Sequence, residues 1–206
     1  MSLRRPACRA RDNPFAVHRV LRVRYAFDAA AWDRLLARLA DMGGCGAIVG
    51  PHGSGKTTLL EDLAGRLQAR GQTVCWIRLN REVRAIPPAF WRAARPGLGS
   101  ADALFIDGAE QLTWLGWLRL RFLARRAGAC VITTHRPGRL PTLWTCTTSP
   151  AVLCGVAERL GVSLGPDLAT KVFQRQGGNI REALRELYDH WSRAGTARTT
   201  SAEAEA

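Results

Sequence analysis

The run Gly50-Pro51-His52-Gly53-Ser54-Gly55-Lys56-Thr57 satisfies GxxxxGK[ST], a spacing that binds phosphate. Its glycines let successive backbone N–H groups converge on phosphate oxygens, and a helix following the loop adds the positive end of its dipole. In such a loop Lys56 reaches the β- and γ-phosphates of a nucleoside triphosphate, and Thr57 offers its hydroxyl to Mg2+. Thr58 completes the nucleotide-binding set, and His52 reads as an exposed member of the loop. A second run, Ala103-Leu104-Phe105-Ile106-Asp107, buries four apolar residues and then presents a carboxylate, which suits a Mg2+ ligand at the C-terminal edge of a strand. Just beyond it, Glu110 either polarises the attacking water or opens the next helix, where an acid favours the dipole. Thr133 and Thr134 end another apolar run. If that run lies beside the one ending at Asp107, a hydroxyl there, Thr134 foremost, or the adjoining His135 can sense a γ-phosphate, although threonine is also a good strand former.

These residues need a scaffold that brings strand ends together. Short apolar runs at Cys45 to Val49, Thr73 to Leu79, Ala103 to Ile106, Ala129 to Thr133 and Leu143 to Thr147 alternate with helical stretches at Lys56 to Arg70 and Gln111 to Ala127. Continuous apolar strands separated by helices predict an α/β fold, a parallel sheet with helices on both faces. A preceding helix, capped by Asp28, carries Trp32, Leu35, Leu36 and Leu39 on one face. The link from Asn80 to Asp102, broken by Pro87-Pro88 and Pro96-Gly97, allows at most one short helix. After Pro150 three helices follow, over Ala151 to Leu160, Pro166 to Gln176 and Ile180 to Arg193, as a small C-terminal α-helical lid. The expected organisation is a basic N-terminal arm over 1–27, with Asn13-Pro14-Phe15 as its pinning point, a nucleotide-binding core over 28–149, the lid over 150–193 and a disordered tail over 194–206.

The pattern resembles the P-loop NTPases that have an additional strand between their two Walker motifs, and within them the AAA+ class. The similarity rests on Walker A at Gly50 to Thr57, Walker B at Phe105 to Asp107, the polar strand end at Thr133-Thr134 and Gly178-Asn179-Ile180-Arg181 in the lid, and it covers roughly residues 28–193. It is most similar to small bacterial AAA-type ATPases related to origin-recognition and transposition helper ATPases. The resemblance implies that ATP and Mg2+ are bound, that Lys56, Asp107, Glu110 and Thr134 serve catalysis, and that Thr57 and Asp107 hold the metal. It also implies that Arg181 acts as a sensor reaching the nucleotide phosphates. The residues themselves add that Arg181 stands in a first helical turn, where the dipole disfavours a cation unless an anion is close by, which favours the sensor; the plainer role is that it screens acids on its own helix face. Where AAA+ proteins usually carry Asp-Glu this chain has Asp107-Gly108, an arrangement closer to NACHT-type signalling NTPases. Arg136 and Arg139 both follow the sensor strand and are alternative arginine fingers.

Charge sets the expected partners. The chain has 30 basic against 17 acidic residues, a net charge of +13, and Lys56 and Lys171 are its only lysines. Arginines crowd the arm and the segment from Trp114 to Leu140, which has no acid. Such patches give non-specific, salt-sensitive contact with nucleic acid, or they reflect arginine-rich codon usage with solvated helix faces. Trp114, Trp117 and Phe122 either stack on bases or fill a core. A protein partner or a homo-oligomer is the other expected class of contact. A hydrophobic share of 47% supports a real core and excludes a wholly disordered chain. The 6 cysteines form no CxxC pair, no secretory leader is legible and no transmembrane segment is expected, so a cytoplasmic, reduced setting follows. The leading expectation is a slow Mg2+-dependent ATPase that couples nucleotide state to nucleic acid or protein. The alternatives are a signalling switch that does not hydrolyse ATP, and a small-molecule or nucleotide kinase.

Overall fold

The computed structural model describes residues 12–86, 88, 90, 99 and 102–203, with side chains described as far as residue 193. The chain divides into two compact units, one of residues 24–147 and one of residues up to 23 together with those from 148 onward.

The first unit opens with helix α2 (Ala29–Asp41), which follows the single-turn α1 (Val17–Val20) of the other unit. Asp28 caps α2 by accepting the Ala31 N–H at 2.6 Å. Then come β1 (Cys45–Val49), α3 (Lys56–Ala69), β2 (Thr73–Arg78), β3 (Asp102–Asp107), α4 (Trp114–Ala124), β4 (Ala129–Thr134) and β5 (Thr142–Thr145). The five strands form one sheet in the order β2-β3-β4-β1-β5. All its pairings are parallel. Burial on both faces explains the unbroken apolar runs. Ile48, Phe105 and Val131 pack with Trp32, Leu35, Leu59, Leu60 and Leu63 in the α2 and α3 layer. Their strand neighbours Ala47, Leu104, Ile106, Cys130 and Ile132 pack with Leu120 and Leu123 of α4 on the other side.

This order brings β4 between β1 and β3, so the ends of the strands before the phosphate loop and after Ile106 converge on the end of β4. Boundaries shift modestly. The helix expected from Gln111 starts at Trp114, because Ala109–Gln111 forms one 3-10 turn and Thr113 caps the helix by accepting the Gly116 N–H. The strand expected over Leu143 to Thr147 is Thr142–Thr145. The short helix expected between Asn80 and Asp102 falls largely outside the described residues.

The second unit holds α1, α5 (Pro150–Arg159), α6 (Pro166–Arg175) and α7 (Ile180–Glu203). Its core contains Leu153, Ala157, Leu160, Ala169, Val172, Ile180, Leu184 and Leu187, with Phe15 among them. The N-terminal arm is therefore no single appendage. Asn13 donates from Nδ2 to the Tyr188 carbonyl at 3.0 Å and to Ser192 Oγ at 3.0 Å, and its own Oδ1 accepts the Phe15 N–H. These bonds seat Phe15 in an apolar core, which a free arm would leave exposed. From Arg24 the chain belongs to the sheet unit, where the Tyr25 N–H bonds Asp62 at 2.7 Å. The tail from 194, expected to be disordered, continues the helical backbone of α7 as far as Glu203.

Candidate nucleotide site

The phosphate loop joins β1 to α3 and is shaped by its glycines. Gly50 approaches the end of β5 so closely that a Cβ there would meet the Cys146 carbonyl oxygen at 2.5 Å. No side chain caps α3, whose N-cap is Gly55, so the first-turn N–H groups remain for an external anion. Lys56 is buried, and its ammonium donates to the carbonyls of Gly50 at 2.8 Å and Pro51 at 2.7 Å. Ser54 donates to the Pro51 carbonyl, which ties the loop across its own turn. Tyr25 lies beneath, its hydroxyl 3.4 Å from Cys146 Sγ, and burial raises its pKa well above the ordinary phenol value.

Asp107 ends β3 beside this loop. Thr57 Oγ1 lies 3.0 and 3.2 Å from its two carboxylate oxygens. A hydroxyl and a carboxylate meeting this way are hard oxygen donors of the kind Mg2+ takes, with its other positions left to phosphate and water. Among the described residues no cluster of three or more His, Cys, Asp or Glu forms a metal cage. The pair therefore fits a Mg2+ carried in with nucleotide better than a resident ion.

Thr133 of β4 is the residue that touches Asp107: its hydroxyl donates to Oδ1 at 2.6 Å and accepts the Gly108 N–H at 2.8 Å. Thr134, the expected sensor, does not. The strand alternates, and the Thr134 hydroxyl instead donates to the Arg136 carbonyl at 3.0 Å. Gly108 leaves no room for a side chain after Asp107. Its φ is +81°, and a Cβ would lie 2.4 Å from the Leu79 carbonyl oxygen.

Glu110 faces His135 instead, with Oε1 3.1 Å from Nε2, while its buried Oε2 has no hydrogen-bond partner. On the other side of the ring Nδ1 lies 3.3 Å from Lys56 Nζ and 3.2 Å from the Gly50 carbonyl, and the tautomer sets which of the two it pairs with. His135 thus links Glu110 to the phosphate-loop lysine, a connection that adjacent positions in sequence could not reveal. His52 is exposed, yet its ring lies against His135, tilted by 40° with centroids 3.8 Å apart. Desolvation, then the charges of His135 and Lys56, lower its pKa. Arg139 donates to the Leu112 carbonyl at 2.9 Å and lies over the Trp117 ring at 5.2 Å, and burial lowers its pKa. Thr58 follows Thr57 in the first turn of α3. Arg181 belongs to the helical unit, where Asn179 Oδ1 accepts its N–H at 3.1 Å and its side chain is exposed.

No protein-family model matches the chain. It is 42% identical over 87 residues to the cytochrome c biogenesis ATP-binding export protein CcmA of Cupriavidus pinatubonensis. That stretch is 42% of this chain and 34% of CcmA, about a third of the relative's length. Among solved structures, a threonine-to-valine variant of RuvB from Thermotoga maritima superposes with a TM-score of 0.55 at 20% identity, over 82% of this chain and 64% of that one. A lysine-to-arginine variant of the same protein gives 0.53 at 20%, over 77% and 58%. No helix among the described residues is long and apolar enough to cross a membrane. In strand order and overall architecture the chain shares the fold of these RuvB structures, with a phosphate loop joining β1 to α3.

Proposed function

We propose that the protein binds ATP with Mg2+ and hydrolyses it slowly, using nucleotide state to change its contacts with a nucleic-acid or protein partner. The observation that carries this reading is the meeting of Lys56, Thr57, Asp107, Thr133 and the Glu110–His135 pair along the ends of β1, β3 and β4. Lys56 exchanges its loop carbonyls for the β- and γ-phosphates, a charge-assisted contact worth roughly 1.5–3 kcal/mol. Thr57 and Asp107 would hold the Mg2+, which would supply charge stabilisation to the phosphates. Glu110, oriented by His135, takes the proton as water forms its bond to the γ-phosphorus. The bond from that phosphorus to the β-γ bridging oxygen breaks, releasing ADP and inorganic phosphate. Arg181 favours ATP over ADP, and the exchange Arg181→Ala lowers that preference.

Calorimetric titration with MgATP tests the core of the reading. Lys56→Ala should weaken binding about tenfold or more. Equal affinity in the two proteins would overturn the assignment. A second reading, a switch without turnover, is favoured by the Asp107-Gly108 departure. Phosphate release that is absent with and without single-stranded DNA, alongside tight ATP binding, selects the switch.

A further inference from the structure

Helix α4 leaves the turn that carries Glu110 and turns one face into the sheet layer through Leu120 and Leu123. Its opposite face is unusual. Trp114 is 73% exposed, Leu118 50% and Phe122 70%, with Leu115 beside them at 52%. Spaced by four, Trp114, Leu118 and Phe122 form a ridge of about 12 Å along the helix axis. On the helical wheel Arg121 and Arg125 run along one side of the ridge and Arg119 along the other, all exposed. Among the described residues none of the three arginines forms an ion pair. The face is thus an apolar seam with cationic flanks, the layout by which one helix selects another through complementary charge.

We propose that the outward face of α4 is a docking surface for an acidic amphipathic helix of a different protein. Charge decides the occupant. A second copy of α4 would set arginine against arginine along both flanks. Nucleic acid would meet the arginines but would bury Leu115 and Leu118, aliphatic groups with no ring to stack, against phosphate and sugar. An anionic bilayer takes up a broad apolar face, whereas this ridge is one to two residues wide between cations. A partner with an apolar stripe and glutamates on either side satisfies the seam and both flanks together.

The test uses the full chain and a fluorescein-labelled synthetic helix of roughly 18 residues, five turns long, with a leucine stripe flanked by glutamates, and a twin peptide with lysine at those flanks. Saturable anisotropy is expected for the glutamate peptide only, and it should weaken as salt rises. Leu118→Glu and Phe122→Ser should each reduce affinity about tenfold or more, with thermal unfolding and ATP binding unchanged. Both positions are on the surface, so folding is preserved. The proposal is overturned by no saturable binding of the glutamate peptide, by equal binding of the lysine peptide, or by wild-type affinity in both variants. It is equally overturned if the property lost in these variants is instead self-association, flotation with phosphatidylglycerol vesicles or binding of a single-stranded oligonucleotide.

Discussion

Thr133 serves two partners at once, donating to Asp107 and accepting from Gly108. It is 1% exposed, so no water takes over either bond if the hydroxyl is removed. Thr133→Val should therefore destabilise the sheet unit by roughly 1–3 kcal/mol in a denaturant titration, the cost of an unmatched buried polar group. It should also slow phosphate release, because Asp107 loses the donor that orients it toward Mg2+. Thr134→Val breaks only a local bond to the Arg136 carbonyl and should leave turnover nearer wild type. Equal slowing in the two variants would show that the Asp107 contact is not what matters. The phosphate loop was legible because its residues are contiguous and their spacing is the signal. The choice between Thr133 and Thr134 was not. β4 is buried on both faces along its whole length, so no polar alternation marks which threonine points to β3. Nor could sequence pair Glu110 with His135, since their contact depends on β4 lying beside β3.

At the scale of elements, Gly108 sets how closely β2 and β3 finish together. Leu79 donates its N–H to the Asp107 carbonyl at 2.8 Å, and its own carbonyl occupies the space a side chain at 108 would need. Gly108→Glu would recreate the usual Asp-Glu pair, but it places a Cβ 2.4 Å from that oxygen at a φ of +81°. We expect it to destabilise the protein by about 2 kcal/mol or more and not to raise turnover. Faster phosphate release in a stably folded Gly108→Glu protein would remove Glu110 from its proposed role. Helix spans and strand positions followed from apolar period and from glycine and proline stops, which act over a few residues, whereas the order β2-β3-β4-β1-β5 depends on pairings between distant segments. Phe15 was harder to read, because it joins Leu153, Val172 and Leu184 across most of the chain. The Asn13-Pro14-Phe15 turn marked a pinning point, but a stretch with no sustained period gives no local sign of which residues receive it.

Over the whole molecule the net charge of +13 is the largest feature that the nucleotide site does not absorb. If the basic patches meet nucleic acid, each phosphate neutralised releases counterions, and log affinity falls with log salt by roughly 0.7 per contact on a single strand. The arm is the place to test this, but it must be cut where the fold allows. Removing residues 1–23 would take away Asn13 and Phe15, which are hydrogen-bonded and buried in the helical unit. Losing Phe15 from that core costs about 3–5 kcal/mol, so such a deletion would confound charge with folding. A chain starting at Asp12 loses Arg4, Arg5, Arg9 and Arg11 and keeps both core residues. Its unfolding transition should match wild type, while its salt slope for a single-stranded oligonucleotide should be shallower by up to about three, four contacts at 0.7 each. An unchanged slope would mean that these four arginines touch no phosphate.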